Sequence, residues 1–138
     1  MQAREFLNMP AVINMEILCA QIELEHYKKL AGRIKNCLAE TDEAKLQLKA
    51  ANEKITEYKR LLSDKYLSLI EAENKISSAI DLLCDERVKT ALKYRYICLM
   101  KFEEISEKMT YCVRQVRRYC EKGIEELDEV LQEKSGTA

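Results

Sequence analysis

The chain has 138 residues, of which 34% are charged and 7% aromatic, with one Pro, three Gly and no Trp. This length predicts one domain, or one small domain on an extended stalk, and the composition is typical of long helices or coiled coils rather than of a sheet protein. The net charge of −1 excludes a bulk attraction to nucleic acid, so any such binding would come from a local patch.

The cysteines argue against a metal centre. There are six, none spaced as Cys-x-x-Cys, and His26 is the only histidine, whereas a zinc site needs four clustered ligands. We therefore expect no metal and no cofactor. No signal peptide or membrane-spanning run is evident, and cysteines scattered along helices are typical of reduced core residues in a cytoplasmic protein. The six are Cys19, Cys37, Cys84, Cys98, Cys112 and Cys120.

The first half of the chain carries a heptad pattern in two arms. Pro10 fits the first turn of a helix, and we predict that the first arm begins there. Its apolar residues follow the 4-3-4-3 spacing of a coiled-coil seam. The seam residues of this arm are Ile13, Ile17, Ala20, Leu24, Tyr27, Ala31, Ile34 and Leu38.

A second seam follows a short interruption at residues 39–43, where Thr41 or Asp42 can cap the next helix. Only Lys65 breaks its apolar series, and one polar seam residue more often sets register than marks a site. Because the connection is short, the two arms are predicted to form a long antiparallel helical hairpin. The second seam comprises Ala44, Leu48, Ala51, Ile55, Tyr58, Leu62, Lys65, Leu69, Ala72, Ile76, Ala79 and Leu83.

Further apolar residues lie off both seams, and a two-helix hairpin cannot bury them by itself. Folding the hairpin about residue 41 puts the two groups at the same height, so we predict that a second copy of the chain covers them in a homodimer. The alternative is that the C-terminal domain folds back over them. The predicted interface residues are Met15, Leu18, Ile22, Leu61, Tyr66, Leu67 and Ile70.

Beyond Asp85, which can cap a helix, the pattern changes to three short helices. We predict them at 86–97, 103–109 and 113–133, with a connector at 98–101, a tight turn at 110–112 and a flexible tail at 135–138. A short helix, a tight turn and a longer helix match a helix-turn-helix. The residues predicted to face inward are Val88, Ala91, Leu92, Tyr96, Ile105, Met109, Val116, Cys120, Ile124, Leu127 and Leu131.

The last helix has a basic outer face in its first ten residues, with four basic side chains against one acid, Glu121. Arg114 and Arg118 are four apart and share a face. Arginine can bind guanine O6 and N7, and glutamine can bind adenine N6 and N7. We therefore predict base contacts from Arg114, Gln115 and Arg118, and phosphate contacts from Lys101, Arg117 and Lys122. The alternatives are that these arginines are only solvated and that Gln115 caps its own helix.

Three segments of this region resemble a known pattern. They are Arg95-Tyr96-Ile97, Phe102-Glu103-Glu104-Ile105-Ser106, and the run from Met109 to Arg118. Over residues 88–131 the chain resembles small regulators of Gram-positive phages and prophages, of the ArpU and RinA kind, whose C-terminal pattern is similar to region 4 of sigma-70 factors. The resemblance implies a sigma region 4-like helix-turn-helix that binds promoter or operator DNA, with Ile105 and Val116 on its packing side.

The chain departs from that pattern at four positions. Phe102 replaces the usual Trp, Ser106 stands where Ala is common, and Thr110 replaces a frequent Gly or Asn in the turn. Cys112 replaces the Ser that would cap the reading helix, and a thiol is a weak acceptor. These changes bear on the stability of the turn more than on DNA binding.

The sequence thus predicts an all-α protein, with a coiled-coil hairpin for dimerisation at 1–84 and a helix-turn-helix domain at 85–134. The predicted function is that of a non-enzymatic transcriptional regulator that binds double-stranded DNA in the bacterial cytoplasm. A sigma-like variant would also contact the host RNA polymerase. The alternative is a helical scaffold or adaptor that binds protein partners such as RNA polymerase or phage proteins.

Overall fold

The structure, a computed structural model, describes residues 2–37 and 41–136, with side chains as far as Glu133. All regular structure in these residues is helical, which confirms the all-α prediction. The predicted seam residue Leu38 lies outside the described residues. The helices are α1 (Ala3–Asn36), α2 (Asp42–Ile80), α3 (Glu86–Leu92), a π-helical segment (Lys93–Ile97), α4 (Phe102–Met109) and α5 (Val113–Gly136).

The backbone contacts divide the chain into two compact units. We call residues Ile13–Leu69 the arm unit, and residues Met1–Val12 together with Ile70–Ala138 the bundle unit. The predicted domains at 1–84 and 85–134 divide the chain differently, because the heptad pattern on which they rest continues through residues that pack with the C-terminal helices. The predicted tail overlaps the last two residues of α5, and residues 137–138 lie outside the described part.

Pro10 is in the interior of α1, so the prediction that a helix begins there is wrong. A proline inside a helix lacks the N–H that would bond to the carbonyl four residues earlier, here that of Phe6, at a cost of about 3 kcal/mol. The Pro10 side chain is among the fully buried ones of the bundle unit. Packing against the rest of that unit therefore outweighs the local preference of the sequence.

In the arm unit, α1 and α2 pack side by side along the two predicted seams. Ile17, Ala20 and Leu24 form a buried cluster with Leu62. The rings of Tyr27 and Tyr58 stack with their centroids 5.6 Å apart, and Lys65 forms an ion pair with Glu16. In these contacts, α1 residues with lower numbers meet α2 residues with higher numbers, so the two helices run antiparallel. Lys65, the polar member of the second seam, is therefore paired rather than free.

The bundle unit has one hydrophobic core to which α1, α2, α3, α4 and α5 all contribute. The backbone N–H of Ala3 donates to the Asp128 carboxylate at 2.7 Å, so a carboxylate of α5 satisfies the positive N-terminal end of α1. The core residues are Ala3, Leu7, Ile76, Ala79, Ile80, Leu83, Val88, Ala91, Leu92, Ile105, Val116, Tyr119, Cys120, Ile124 and Leu127.

Helices α3 and α5 cross at close range because α5 has a glycine at the crossing. A Cβ atom built on Gly123 would lie 2.5 Å from Leu92 Cδ1 and 2.8 Å from Val88 Cγ1. Helix α3 itself begins as predicted, since the Asp85 carboxylate accepts a hydrogen bond from the Arg87 N–H at 2.9 Å. The missing side chain at Gly123 therefore lets α5 pack directly against Val88 and Leu92 of α3.

Candidate nucleic-acid interface

Helices α4 and α5 are joined by a tight turn at residues 110–112. Thr110 ends α4 in the left-handed region, with φ 60° and ψ 33°, a conformation that a β-branched residue rarely adopts. The Ser106 hydroxyl donates to the Tyr111 carbonyl, and the Cys112 carbonyl accepts from the Val116 N–H at 3.1 Å. The turn is therefore held by hydrogen bonds from both helices.

The back of this pair of helices is apolar and buried, as predicted. Ile105 of α4 and Val116 of α5 are completely buried, and Cys120 is nearly so. Burial raises the pKa of the Cys120 thiol to about 11. Tyr119 is also buried, beneath the Arg87 guanidinium, and its ring meets that of Tyr111 edge to face. The burial of Tyr119 is not predicted by the apolar spacing of α5.

The front of α5 carries the predicted DNA-contacting residues. Arg114, Arg118 and Lys122 are all exposed and follow one another at intervals of four, so they form one row along the helix. Gln115 beside them is half-buried. Within the described residues its side chain makes no hydrogen bond, so the structure gives no support to the alternative in which Gln115 caps its own helix.

The charges of α5 change sign along its length. The four basic residues of its first ten face a single acid, whereas residues 123–133 carry five acids and no base. In the described part of the chain, no carboxylate forms an ion pair with Arg114, Arg117 or Arg118. The first half of α5 is thus a positive surface whose three arginines have no ion-pair partner among the described residues, whereas Lys122 interacts electrostatically with Asp85. Lys101 precedes α4 in the same unit.

One residue that the pattern assigns to packing contacts two cations. The guanidinium carbon of Arg95 lies 4.2 Å from the centre of the Phe102 ring, and that of Arg117 lies 5.0 Å from it. Sequence reasoning missed Arg95 as a candidate binding residue. The only available signal was that Arg95 and Phe102 both belong to the segments that carry the family resemblance.

The residues predicted at a dimer interface are exposed in the single chain, by between 39% for Leu61 and 72% for Ile22. In the arm unit, Gln21 donates to the Tyr66 hydroxyl at 2.6 Å, which places Tyr66 beside the flank of α1 that carries Gln21. Leu61 is five residues from Tyr66 and therefore about 140° away around α2. Leu67 lies two positions before the seam residue Leu69 and is therefore about 160° from the face of α2 that meets α1. The arm unit thus does not bring the predicted set to one side. The predicted residue Ile70, in the bundle unit, is also exposed.

Two other kinds of site are absent from the described residues. No group of three or more His, Cys, Asp or Glu side chains there is placed to hold a metal ion, and none of the described helices combines the length and apolar character needed to cross a membrane. Comparison of the chain with protein-family models, curated proteins and solved structures finds no match. Functional inference therefore depends on the geometry of α4 and α5.

Proposed function

We propose that the chain is a non-enzymatic, DNA-binding transcriptional regulator whose helix α5 enters the major groove. The observation that supports this most is the arrangement of α4, the turn and α5, which has a buried apolar back and an exposed basic front. In a helix-turn-helix the second helix reads base edges and the first crosses the backbone. The resemblance to phage regulators with a sigma region 4-like motif agrees with this role, which implies the cytoplasm of a bacterial host.

The placement of charge along α5 supports a binding role over a purely structural one. A helix is stabilised by acids near its N-terminus and bases near its C-terminus, by about 0.3–1 kcal/mol each. Helix α5 has the opposite arrangement, with no acid in its first turn, Arg114 at its second position and acids concentrated in its second half. This costs helix stability, and a ligand of negative charge at the start of α5 would give the arrangement a function.

The proposed roles follow from reach and chemistry. Arg114, Gln115 and Arg118, near the start of the reading helix, contact bases. Lys101, Arg117 and Lys122 contact phosphates, which fixes the orientation of the helix on the duplex. Each base contact is worth about 1–3 kcal/mol of discrimination.

We further propose that a second copy of the chain covers the apolar stripe Met15–Leu18–Ile22. Each stripe residue lies two positions before a seam residue of α1. The stripe is therefore about 160° around α1 from the face that packs against α2. Helix α1 thus has a second surface with coiled-coil spacing, and a two-fold dimer presents the same surface on both copies. Met15, Leu18 and Ile22 are 66%, 45% and 72% exposed, and an exposed apolar row of this kind is typical of a protein–protein contact.

The DNA-binding proposal is tested by titrating the full chain with random duplex DNA at increasing salt. Affinity should fall steeply, with a slope of about −0.9 for each phosphate neutralised. A library selection then yields the preferred site. On that site, Arg114→Ala and Arg118→Ala should each cost about 1–3 kcal/mol and relax specificity, whereas Arg33→Ala, an equal loss of charge in the arm unit, should have little effect.

Two results would count against this reading. Absence of binding even at low salt would remove its basis. Unchanged affinity of the Arg114 and Arg118 variants for the selected site would reject the residue assignment while leaving DNA binding intact.

The dimer is tested by light scattering. Leu18→Glu combined with Ile22→Glu should give a monomer, because each copy would bring charges into an apolar contact. Leu46→Glu is the matched control, since Leu46 is 68% exposed in the same unit but outside the predicted interface. A monomeric wild-type chain would refute the stripe argument.

The second candidate function is a scaffold or adaptor that binds proteins. The exposed apolar residues of the arm unit favour it, since such surfaces are typical of protein–protein contacts. The same salt titration discriminates the two, because a scaffold has no salt-dependent affinity for random DNA. A sigma-like variant would bind DNA and RNA polymerase together, and a wild-type monomer that binds polymerase would favour it.

A further inference from the structure

The Phe102 ring is a meeting point of three elements of the bundle unit. Phe102 is the first residue of α4, Arg95 comes from the π-helical segment, and Arg117 comes from the first half of α5. Both guanidinium groups lie within cation–π distance of the ring, at 4.2 Å and 5.0 Å from its centre. The two charged groups are therefore at most about 9 Å apart.

The position of Arg95 is fixed before any ligand arrives. Its Nη1 donates to the Met100 carbonyl at 3.0 Å, and its side chain is half-buried. Phe102 is itself half-buried and packs against the core of the bundle unit. A cation that is already ordered loses little further conformational freedom on binding, so more of its interaction energy appears as affinity.

Neither guanidinium is neutralised by the protein. In the described residues no carboxylate pairs with Arg95 or Arg117, whereas Arg87 pairs with Asp85 and Lys93 with Asp81. The acids of the first turn of α4 lie beyond ion-pair distance of both arginines. One fixed guanidinium, that of Arg95, and a second, that of Arg117, meet the same ring without a paired carboxylate. Such a pair is a suitable site for an anion with several acceptor oxygens.

We propose that Arg95 and Arg117, held on the Phe102 ring, bind a phosphate group of the DNA backbone. The inference rests on the proposed function and adds two residues to it. Arg95 becomes a second arginine at the phosphate that Arg117 contacts, and Phe102 becomes the positioning residue that orients both. Arginine suits this role because its planar fork binds phosphate oxygens in pairs while its face stacks on an aromatic ring.

The first test compares salt dependence of DNA binding for the full chain and its variants. Arg95→Gln should make the slope of log affinity against log salt about 0.9 less steep. Between 50 and 200 mM salt the DNA affinity of this variant should therefore fall about three- to fourfold less than that of the wild type. Arg87→Ala removes an arginine that is already paired and should behave as wild type. Phe102→Leu leaves the charge unchanged and should weaken binding, while Phe102→Trp, which keeps a π face, should retain it. Circular dichroism checks that each variant is folded.

The second test uses inorganic phosphate as the probe and does not depend on DNA binding. The side-chain Nε–H signals of Arg95 and Arg117 should shift together in an NMR titration of the full chain, while that of Arg87 stays fixed. Arg95→Lys keeps the charge but not the planar fork, and should lessen the Arg117 shift.

The two tests separate the failure of this proposal from that of the proposed function. If wild type binds DNA and Arg95→Gln has the same slope as Arg87→Ala, the phosphate site is wrong and the function stands. If wild type does not bind DNA, the proposed function fails. The phosphate titration then decides whether the two arginines form an anion site at all, and unchanged Arg95 and Arg117 signals would overturn it.

Discussion

Gly123 gives the sharpest test of how α5 is held on its support. Gly123→Ala would place a Cβ atom 2.5 Å from Leu92 Cδ1 and 2.8 Å from Val88 Cγ1, whereas non-bonded carbons prefer about 3.5–4.0 Å. Neighbouring atoms must then move by about 1 Å, and overpacking of this kind costs about 1–3 kcal/mol. Against it stands a gain of up to about 1 kcal/mol from replacing Gly by Ala inside a helix. The net expectation is destabilisation by up to about 2 kcal/mol.

Gly32 provides the matched control, because nothing lies within 4 Å of its built Cβ atom and it is also in a helix. Gly32→Ala should therefore show the propensity gain alone and stabilise the chain by up to about 1 kcal/mol. Urea denaturation followed by circular dichroism measures both. A second comparison uses Leu92→Ala, which removes the leucine atoms that the added methyl group would meet. In that background Gly123→Ala should lose part of its destabilising effect, because the new methyl meets a cavity on the Leu92 side while the contact with Val88 remains. If Gly123→Ala stabilises the otherwise wild-type chain as Gly32→Ala does, the close crossing of α3 and α5 is refuted.

The remaining predictions concern the turn at Thr110, the buried thiol of Cys120 and the loss of stability at low pH. Thr110→Gly should raise the free energy of unfolding by up to about 1 kcal/mol in urea denaturation. The left-handed conformation costs a non-glycine residue about 1–2 kcal/mol, and part of the gain is lost because glycine gives the unfolded chain more conformational entropy. Thr110→Ala should give no such gain, and equal effects of the two variants would contradict the strain argument. Maleimide labelling at pH 8, followed by mass spectrometry, should modify Cys120 at least about 100-fold more slowly than the exposed thiols of Cys37, Cys84, Cys98 and Cys112. Burial raises the pKa of Cys120 to about 11, and only the thiolate reacts. A comparable rate would show that the core opens readily. The hydrogen bonds from Arg87 lower the pKa of Asp85, so the stability they contribute is fully present above the ordinary aspartate pKa and is lost as pH falls through the lowered one. Asp85→Asn should therefore flatten the decline in stability between pH 5 and pH 2, and an unchanged decline would place the titrating groups elsewhere.

The helices were predictable from sequence because their signals are periodic. The seam of α2 recurs over eleven positions, with Lys65 as its only polar member, and each of them is buried or half-buried. The same holds for the back of α5, where Val116, Cys120 and Leu127 are buried. Caps were also predictable, since Thr41 accepts from the Ala44 N–H at 3.1 Å and oxygen side chains at such positions have a local physical role.

Other features depend on contacts between distant parts of the chain, which no local pattern encodes. The continuation of α1 through Pro10 is one of these, because local preference favours a helix start there. Leu99 has a positive φ of 55° although nothing in its side chain favours that conformation. The Arg95–Phe102–Arg117 contact joins three elements, and each of its residues alone has an ordinary interpretation. DNA binding and dimerisation remain predictions.

The change of charge along α5 limits the number of base pairs that one copy of this helix could read. Only the first ten residues of α5 are attractive to a polyanion, and they span about 15 Å at 1.5 Å per residue. At 3.4 Å per base pair along the duplex, this covers about four to five base pairs. A five-base-pair sequence recurs by chance about once per thousand positions, which is far too often for a regulator that must find one site among the roughly 10⁶ or more competing sites of a genome. Under the proposed function, two such helices acting together would specify about ten base pairs, which recur about once per million. A regulator whose α5 is acidic in its second half would therefore need a second copy to address a single genomic site.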